Sequence, residues 1–317
     1  MTKPVIWMFS GQGSQYYQMG SELFEHEPVF RQTVERGSAL VQDLVNESLV
    51  GVLFKPRANR YEPFTRTLLT TPAILVVECA MAQLLLSKGA KPDRLLGYSV
   101  GEFASFVVAG VLEFEAALTA VVKLAELMEY CTPRASAFAI LETAEAMAQH
   151  PEIFRDCEII SRAFDKGTLV VCPASAGAAL RVSLKSKGLN FMDLPISHGF
   201  HSRWMDPAMT PFKDILASLR FAAPQIPLLS AASGPVTNPD ASHLWAAIRG
   251  VVDFRSTIAK LEASGGGRYL DVGPSGTMAT LVKHNLKPGS ASQFLPILSP
   301  FGRSREHLAK ALQSELV

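Results

Sequence analysis

The pentapeptide Gly97-Tyr98-Ser99-Val100-Gly101 constrains this chain more than any other stretch. It follows the apolar pair Leu95-Leu96, and small and apolar residues continue from Glu102 to Val111. Gly-x-Ser-x-Gly between a strand and a helix is the pattern of a nucleophile elbow, a strained turn that lifts a serine Oγ from the top of a sheet. Flanking glycines allow close backbone approach. Lys91-Pro92-Asp93 starts the strand cleanly. Glycine and serine are common loop residues, so the pentapeptide alone fits either an elbow or an ordinary strand-to-helix turn.

With 317 residues, 48% of them hydrophobic and 19% charged, the chain can bury a large core as one domain or two. Thirty basic and twenty-nine acidic side chains give a net charge of +1. That balance provides no field over the whole molecule for a polyanion, so no nucleic-acid partner is expected. Cys79, Cys131, Cys157 and Cys172 lack C-x-x-C spacing. They read as four free thiols in a reducing cytoplasm, without a disulfide framework or a metal site. After Met1-Thr2-Lys3-Pro4, the run Val5 to Phe9 is too short for a signal h-region. No run reaches the roughly 18 apolar residues of a membrane span. A cytoplasmic protein without a membrane segment is expected.

Val5 to Phe9 is apolar throughout and reads as a buried parallel strand. It enters the glycine loop Ser10-Gly11-Gln12-Gly13-Ser14-Gln15, and a helix is expected from about Met19. Strand, glycine loop and helix start together present backbone N–H groups to something negative. Tyr16 breaks a G-x-G-x-x-G pattern, and no Gly-Lys-Ser/Thr follows, so neither a dinucleotide fingerprint nor a P-loop is present. Residues 21–90 read as mainly helical. Pro72 is expected in the first turn of a long apolar helix, Ala73 to Lys88, that Gly89 closes. The elbow strand follows, then a helix from Phe114 to Tyr130.

The texture then changes. Strands are expected at Ala137 to Leu141, Cys157 to Arg162, Thr168 to Cys172 and Asn190 to Leu194. Helices are expected at Ala144 to Gln149 and from an N-cap at Ser175 to Lys187. The order β-α-β-β-α-β is ferredoxin-like and marks residues 132–196 as an inserted small subdomain. The large domain is then 1–131 with 197–317. Its later elements read as a helix from Pro207 to Leu219, a strand at Pro227 to Ala231, and helices at Leu244 to Gly250 and Thr257 to Ala263. Strand Arg268 to Val272 and helix Met278 to His284 come last.

An activated serine needs a base within hydrogen-bond reach and N–H donors for an oxyanion. His26, His150, His243, His284 and His307 lie in polar helical or helix-end contexts and read as surface residues. His198 and His201 differ, because they sit in the loop Ser197-His198-Gly199-Phe200-His201-Ser202, just after the last strand of the small subdomain. Catalytic groups concentrate in such loops.

The Gly11–Gln15 loop, Gly97-Tyr98-Ser99-Val100-Gly101-Glu102, Ser197–Ser202 and Val272-Gly273-Pro274 recur in one order in a known family. The chain resembles, over essentially its whole length, the malonyl-CoA:acyl carrier protein transacylases and polyketide synthase acyltransferases. The resemblance implies an α/β-hydrolase-like large domain with a parallel sheet, carrying the ferredoxin-like subdomain. It implies Ser99 as nucleophile, His201 as general base, and the N–H groups of Gln12 and Val100 as oxyanion hole. A main-chain carbonyl orients the histidine in this family, and the segment Val251-Val252-Asp253-Phe254 assigns that role to Asp253. His198 is expected to hold loop structure. Tyr98, Leu124, Thr71 and Phe200 are the implied acyl-pocket residues.

Three departures from the family matter. Tyr98 replaces the usual histidine of Gly-His-Ser-x-Gly. Thr70-Thr71-Pro72 replaces Thr-Gln-Pro, removing an active-site amide. Leu124-Ala125-Glu126-Leu127-Met128 replaces Arg-Gly-x-x-Met, whose arginine grips the carboxylate of malonyl groups by a two-pronged hydrogen bond. Lys123 is adjacent, but one residue along a helix turns a side chain by about 100°, so it points elsewhere. An unpaired malonate carboxylate beside Leu124 costs several kcal/mol, which favours an uncharged acyl group.

The resemblance is strongest to the stand-alone acyl hydrolase branch of trans-acyltransferase polyketide pathways. It implies removal of uncarboxylated acyl groups from acyl carrier protein thioesters through an acyl-Ser99 intermediate, with no cofactor beyond the substrate's phosphopantetheine. The alternatives are transfer of such a group from CoA or one carrier protein to another, and a degenerate chain that only docks carrier protein. Arg203 and Lys283 are candidate docking charges for an acidic carrier protein of a polyketide synthase assembly line.

Overall fold

A computed structural model describes residues 3–55 and 61–314. Met1, Thr2 and positions 56–60 of the expected helical stretch lie outside the described residues. Ten strands lie among the described residues: β1 (Val5–Phe9), β2 (Arg94–Gly97), β3 (Ala135–Ile140), β4 (Glu158–Phe164), β5 (Gly167–Pro173), β6 (Phe191–Leu194), β7 (Leu228–Ser230), β8 (Gly234–Val236), β9 (Arg268–Asp271) and β10 (Gln293–Pro296). They form two sheets, ordered β10-β9-β1-β2-β7-β8 and β4-β5-β3-β6.

The large sheet centres on β1, whose five residues are all buried. β1 pairs in parallel with β2 on one side and β9 on the other. Burial on both faces explains its unbroken apolar run. All pairings in this sheet are parallel except that of β8, which folds back on β7 through a tight turn. The expected parallel sheet ends in one antiparallel edge strand, too short at Gly234–Val236 to register in the sequence.

Helix Thr67–Ser87 packs against this sheet's helical layer and begins a turn earlier than its proline suggests. Leu69 and Thr70 N–H groups donate to Arg66 O, so Pro72 sits inside the helix rather than at its start. By length and composition this helix can cross a membrane, but 94% of its most apolar window is buried inside the protein. It is a core helix.

In the small subdomain β3 pairs antiparallel with β5 and β6, and β4 with β5. That is the ferredoxin-like arrangement, with helices Ala144–Ala148 and Ala174–Ser186 as the crossovers. The expected N-cap Ser175 is already within the second helix, whose N-cap is Pro173 without a side-chain bond. The 3-10 turn Arg203–Ala208 precedes helix Met209–Ala217, so the helix expected from Pro207 starts later. β10 and helix Ser304–Gln313 complete the chain.

Candidate active site

β1, β2 and β9 run in parallel, so the loops at their C-terminal ends meet on one edge of the large sheet. Residues 10–15 leave β1, 98–100 leave β2 and 272–276 leave β9. Ser99 occupies the turn between β2 and helix Gly101–Val108 with φ of 57°, a left-handed conformation uncommon for a non-glycine residue. The turn is closed by Gly101 N–H to Tyr98 O at 3.0 Å and Glu102 N–H to Ser99 O at 3.0 Å. Two glycines make the geometry possible. A Cβ on Gly101 would lie 2.5 Å from the Phe9 carbonyl, and one on Gly11 would lie 2.8 Å from Ser99 Cβ. The first loop thus presses directly on the elbow.

His201 also has positive φ, 61°. Its Nε2 lies 2.7 Å from Ser99 Oγ, and its Nδ1 lies 2.7 Å from Gly250 O. A carbonyl only accepts, so Nδ1 carries the proton and Nε2 is free to accept from the serine hydroxyl. His201 is 6% exposed. Burial pushes its pKa down to about 4, the bond to Gly250 works against that shift, and the Arg249 guanidinium adds to it. The imidazole is therefore neutral, as a base must be.

Gly250, not Asp253, supplies the orienting carbonyl. Asp253 caps helix Phe254–Ala263, its carboxylate accepting from Ser256 N–H and its carbonyl from Thr257 N–H. The register of a backbone carbonyl leaves no side-chain signature, so a three-residue displacement was invisible in the sequence.

Neither Gln12 N–H nor Val100 N–H donates a hydrogen bond among the described residues. Both flank Ser99 in the fold, Val100 as the N-cap of the elbow helix and Gln12 beside Gly11. The Gln12 side chain is gripped by both threonines of the Thr-Thr-Pro run: Nε2 donates to Thr70 Oγ1 at 2.6 Å, and Thr71 Oγ1 donates to Oε1 at 3.2 Å. Beneath the loop, Ser10 N–H donates to Glu78 Oε1 at 2.6 Å. Burial holds the Glu78 carboxyl well above its usual range.

A cavity of about 850 Å³ opens beside the site, between the two sheets. Gly11, Gln12 and Tyr98 line its inner end, with Leu169 and Leu194 of the small subdomain and Leu281 of the large domain farther out. Of the four expected acyl-pocket residues, only Tyr98 lines this cavity. Thr71 serves Gln12 instead, and Leu124 and Phe200 are packed in the large core. The reason is side-chain direction. Leu124 lies on the inner stripe of helix Phe114–Cys131, while Lys123 faces outward and pairs with Glu126 at 2.7 Å.

His198 is buried, with Nδ1 2.9 Å from Thr67 Oγ1. Two histidines read as surface residues do more. His243 Nε2 lies 2.6 Å from Glu102 Oε2, and His284 stacks on Phe164 at the cavity wall, 4.6 Å between ring centres. The acid in Glu102, directly after the elbow, was the available signal for the first pair. Arg203 is tied to Glu158 at 3.1 Å, and Lys283 is exposed.

The acyl transferase domain family matches residues 6–314. The chain belongs to that family. It is 33% identical over 309 residues to the polyketide biosynthesis acyltransferase homolog PksD of Bacillus subtilis, covering 97% of this chain and 95% of that one. It is also 33% identical over 317 residues to the homolog BaeD of Bacillus velezensis, covering 100% and 98%. Among solved structures, the acyltransferase domain from the second module of the salinomycin polyketide synthase superposes with a TM-score of 0.85 at 28% identity, covering 100% of this chain and 75% of that one. The family brings serine–histidine acyl-transfer chemistry, and the Ser99–His201 hydrogen bond is its geometric counterpart here.

Proposed function

We propose that this acyltransferase-family enzyme cleaves acyl thioesters on acyl carrier proteins through an acyl-Ser99 intermediate, with water as the usual acceptor. The observation that carries the reading is the relay Ser99 Oγ–His201–Gly250 O, 2.7 Å at each step, beside two unengaged backbone N–H groups.

Ser99 Oγ attacks the thioester carbonyl as His201 Nε2 takes its proton. The carbonyl oxygen becomes an oxyanion held by Gln12 and Val100 N–H. The carbon–sulfur bond breaks, and His201 returns the proton to the leaving thiol. Water then attacks the acyl ester, giving up a proton to His201, and the free acid leaves as Ser99 recovers it. Uncharged acyl groups are favoured because the family resemblance implies a carboxylate-gripping arginine at position 124, and Leu124, packed in the core, supplies no cation in its place. The donor is an acyl carrier protein of a polyketide assembly line, a partner suggested by the polyketide biosynthesis homologs.

Transfer to a second carrier thiol is the competing reading, and the acyltransferase names of both homologs favour it. Carrier protein loaded separately with malonyl, acetyl and butyryl groups separates them, with intact mass followed with and without an empty second carrier. Release of acetate and butyrate with malonyl retained supports hydrolysis. Reappearance of the acyl group on the second carrier identifies transfer, and full activity in S99A refutes both.

A further inference from the structure

Tyr98, immediately before the nucleophile, reaches out of the large sheet into the small subdomain. Its hydroxyl donates to Ser161 Oγ at 2.6 Å, and its ring packs edge-on against Phe254, 5.9 Å between centres. Ser161 is a buried residue of β4. At that point β4 also pairs with the large domain. Ser161 bridges Val252 in parallel, Arg162 N–H donates to Val252 O at 2.8 Å, and Val252 N–H donates to Ile160 O at 3.1 Å. Val252 lies two residues beyond Gly250, whose carbonyl orients His201, and two before Phe254.

These contacts close a ring. From Ser99 it runs through His201 to Gly250, along the chain to Val252, across to β4, and from Ser161 through the Tyr98 hydroxyl back to Ser99. We infer that Tyr98 is a positioning residue whose bond to Ser161 holds the elbow at a fixed distance from the Gly250 carbonyl, and so from His201. The small subdomain is then a structural arm of the dyad as well as a wall of the cavity. The inference rests on Ser99 and His201 acting as nucleophile and base. Two features suit the hydroxyl to the task. Burial pushes the Tyr98 phenol up to about 12, which keeps it a donor at any working pH. The Phe254 contact fixes the ring, so removing the oxygen alone cuts the ring of contacts at one bond.

The test is a double-mutant cycle of Y98F, S161A and Y98F/S161A, read with p-nitrophenyl acetate, which acylates Ser99 without a carrier protein. A misplacement of ~1 Å costs about 10²-fold in rate, so loss of one tether is expected to lower the acylation rate roughly 10-fold. KM stays close to wild type in each single variant, and the thermal midpoint falls by a few degrees at most, the cost of one buried hydroxyl left without its partner. The double variant is no slower than the singles, because both remove the same bond. Wild-type acylation rates in Y98F, additive losses, or a fall in thermal midpoint with unchanged rate each overturn the inference. Loss of fold in both single variants does so too, since a tether that only positions is not required for folding. Wild-type protein without an S99A-sensitive burst overturns the Ser99 reading itself, a separate and distinguishable failure.

Discussion

Buried His201 makes a prediction about pH that an exposed histidine contradicts. Its pKa lies at about 4, against 6.5 for a solvated imidazole, chiefly because burial disfavours the charged form. At pH 5 a histidine of pKa 6.5 is only about 3% neutral, whereas one of pKa 4 is about 90% neutral. Acylation of Ser99 at pH 5 is therefore expected to remain within twofold of its rate at pH 7.5, instead of falling about 30-fold. Stability follows the same shift. A folded pKa below the unfolded one contributes stability above pH 6.5 that is lost as the pH falls toward 4, and the full difference is about 3 kcal/mol. Asp271 acts in the opposite sense. Burial raises it from 3.8 to about 7, so its contribution is present at low pH and lost as the pH rises through 7. The informative quantity is thus the difference between wild type and H201Q in urea unfolding from pH 4 to 7.5, beside the pH dependence of the p-nitrophenyl acetate burst. An acid limb centred near pH 6.5, or a wild-type-minus-H201Q stability difference that does not change with pH, refutes the reasoning.

Three further substitutions probe the frame. H243A leaves buried Glu102 with Ser230 as its remaining side-chain donor, and is expected to destabilise by about 2–4 kcal/mol in urea unfolding; a loss below ~1 kcal/mol contradicts the role given to this pair. G101A drives a Cβ to 2.5 Å from the Phe9 carbonyl and abolishes activity, whereas G89A, at φ 88° with nothing within 4 Å, costs only about 1–2 kcal/mol of backbone strain and stays active. Equal behaviour of the two glycine variants excludes close packing as the reason for Gly101. L124R restores the family's arginine and is expected to raise malonyl loading of Ser99 relative to butyryl, at a cost of several kcal/mol in stability for a buried cation without its anion. An unchanged malonyl-to-butyryl ratio, read from intact mass of the acyl-enzyme, removes Leu124 from the account of specificity.

What the sequence made legible follows from what a motif encodes. Ser99 and His201 were readable because each sits in a local pattern of glycine and polar residues, and the β-α-β-β-α-β order was readable because its elements alternate cleanly. The Gly250 carbonyl was not, since a main-chain group carries no residue identity. The placement of the acyl-pocket residues was not legible for a related reason. Adjacency to a motif does not say which way a side chain points, and Leu124 and Phe200 point into the core while Tyr98 points into the cavity. His243 was misread because its partner lies 141 residues away, a separation no local context reports.

One helix ties these long-range contacts together. Ala241–Arg249 holds the elbow helix through His243 and Glu102, and it holds the base through Ile248 O, which accepts from His201 N–H at 3.2 Å. Gly250, the residue that ends this helix, adds the carbonyl on Nδ1. Ser99 and His201 each keep a left-handed backbone that is strained for a side-chain-bearing residue, and such conformations persist only where the surroundings over-determine them. A single element bracing both residues meets that requirement. It also explains why a carbonyl suffices in place of a carboxylate. An anionic partner would raise the histidine's pKa against burial, whereas a neutral carbonyl fixes the tautomer and leaves the net shift downward. His201 is thereby kept as a neutral base down to about pH 4.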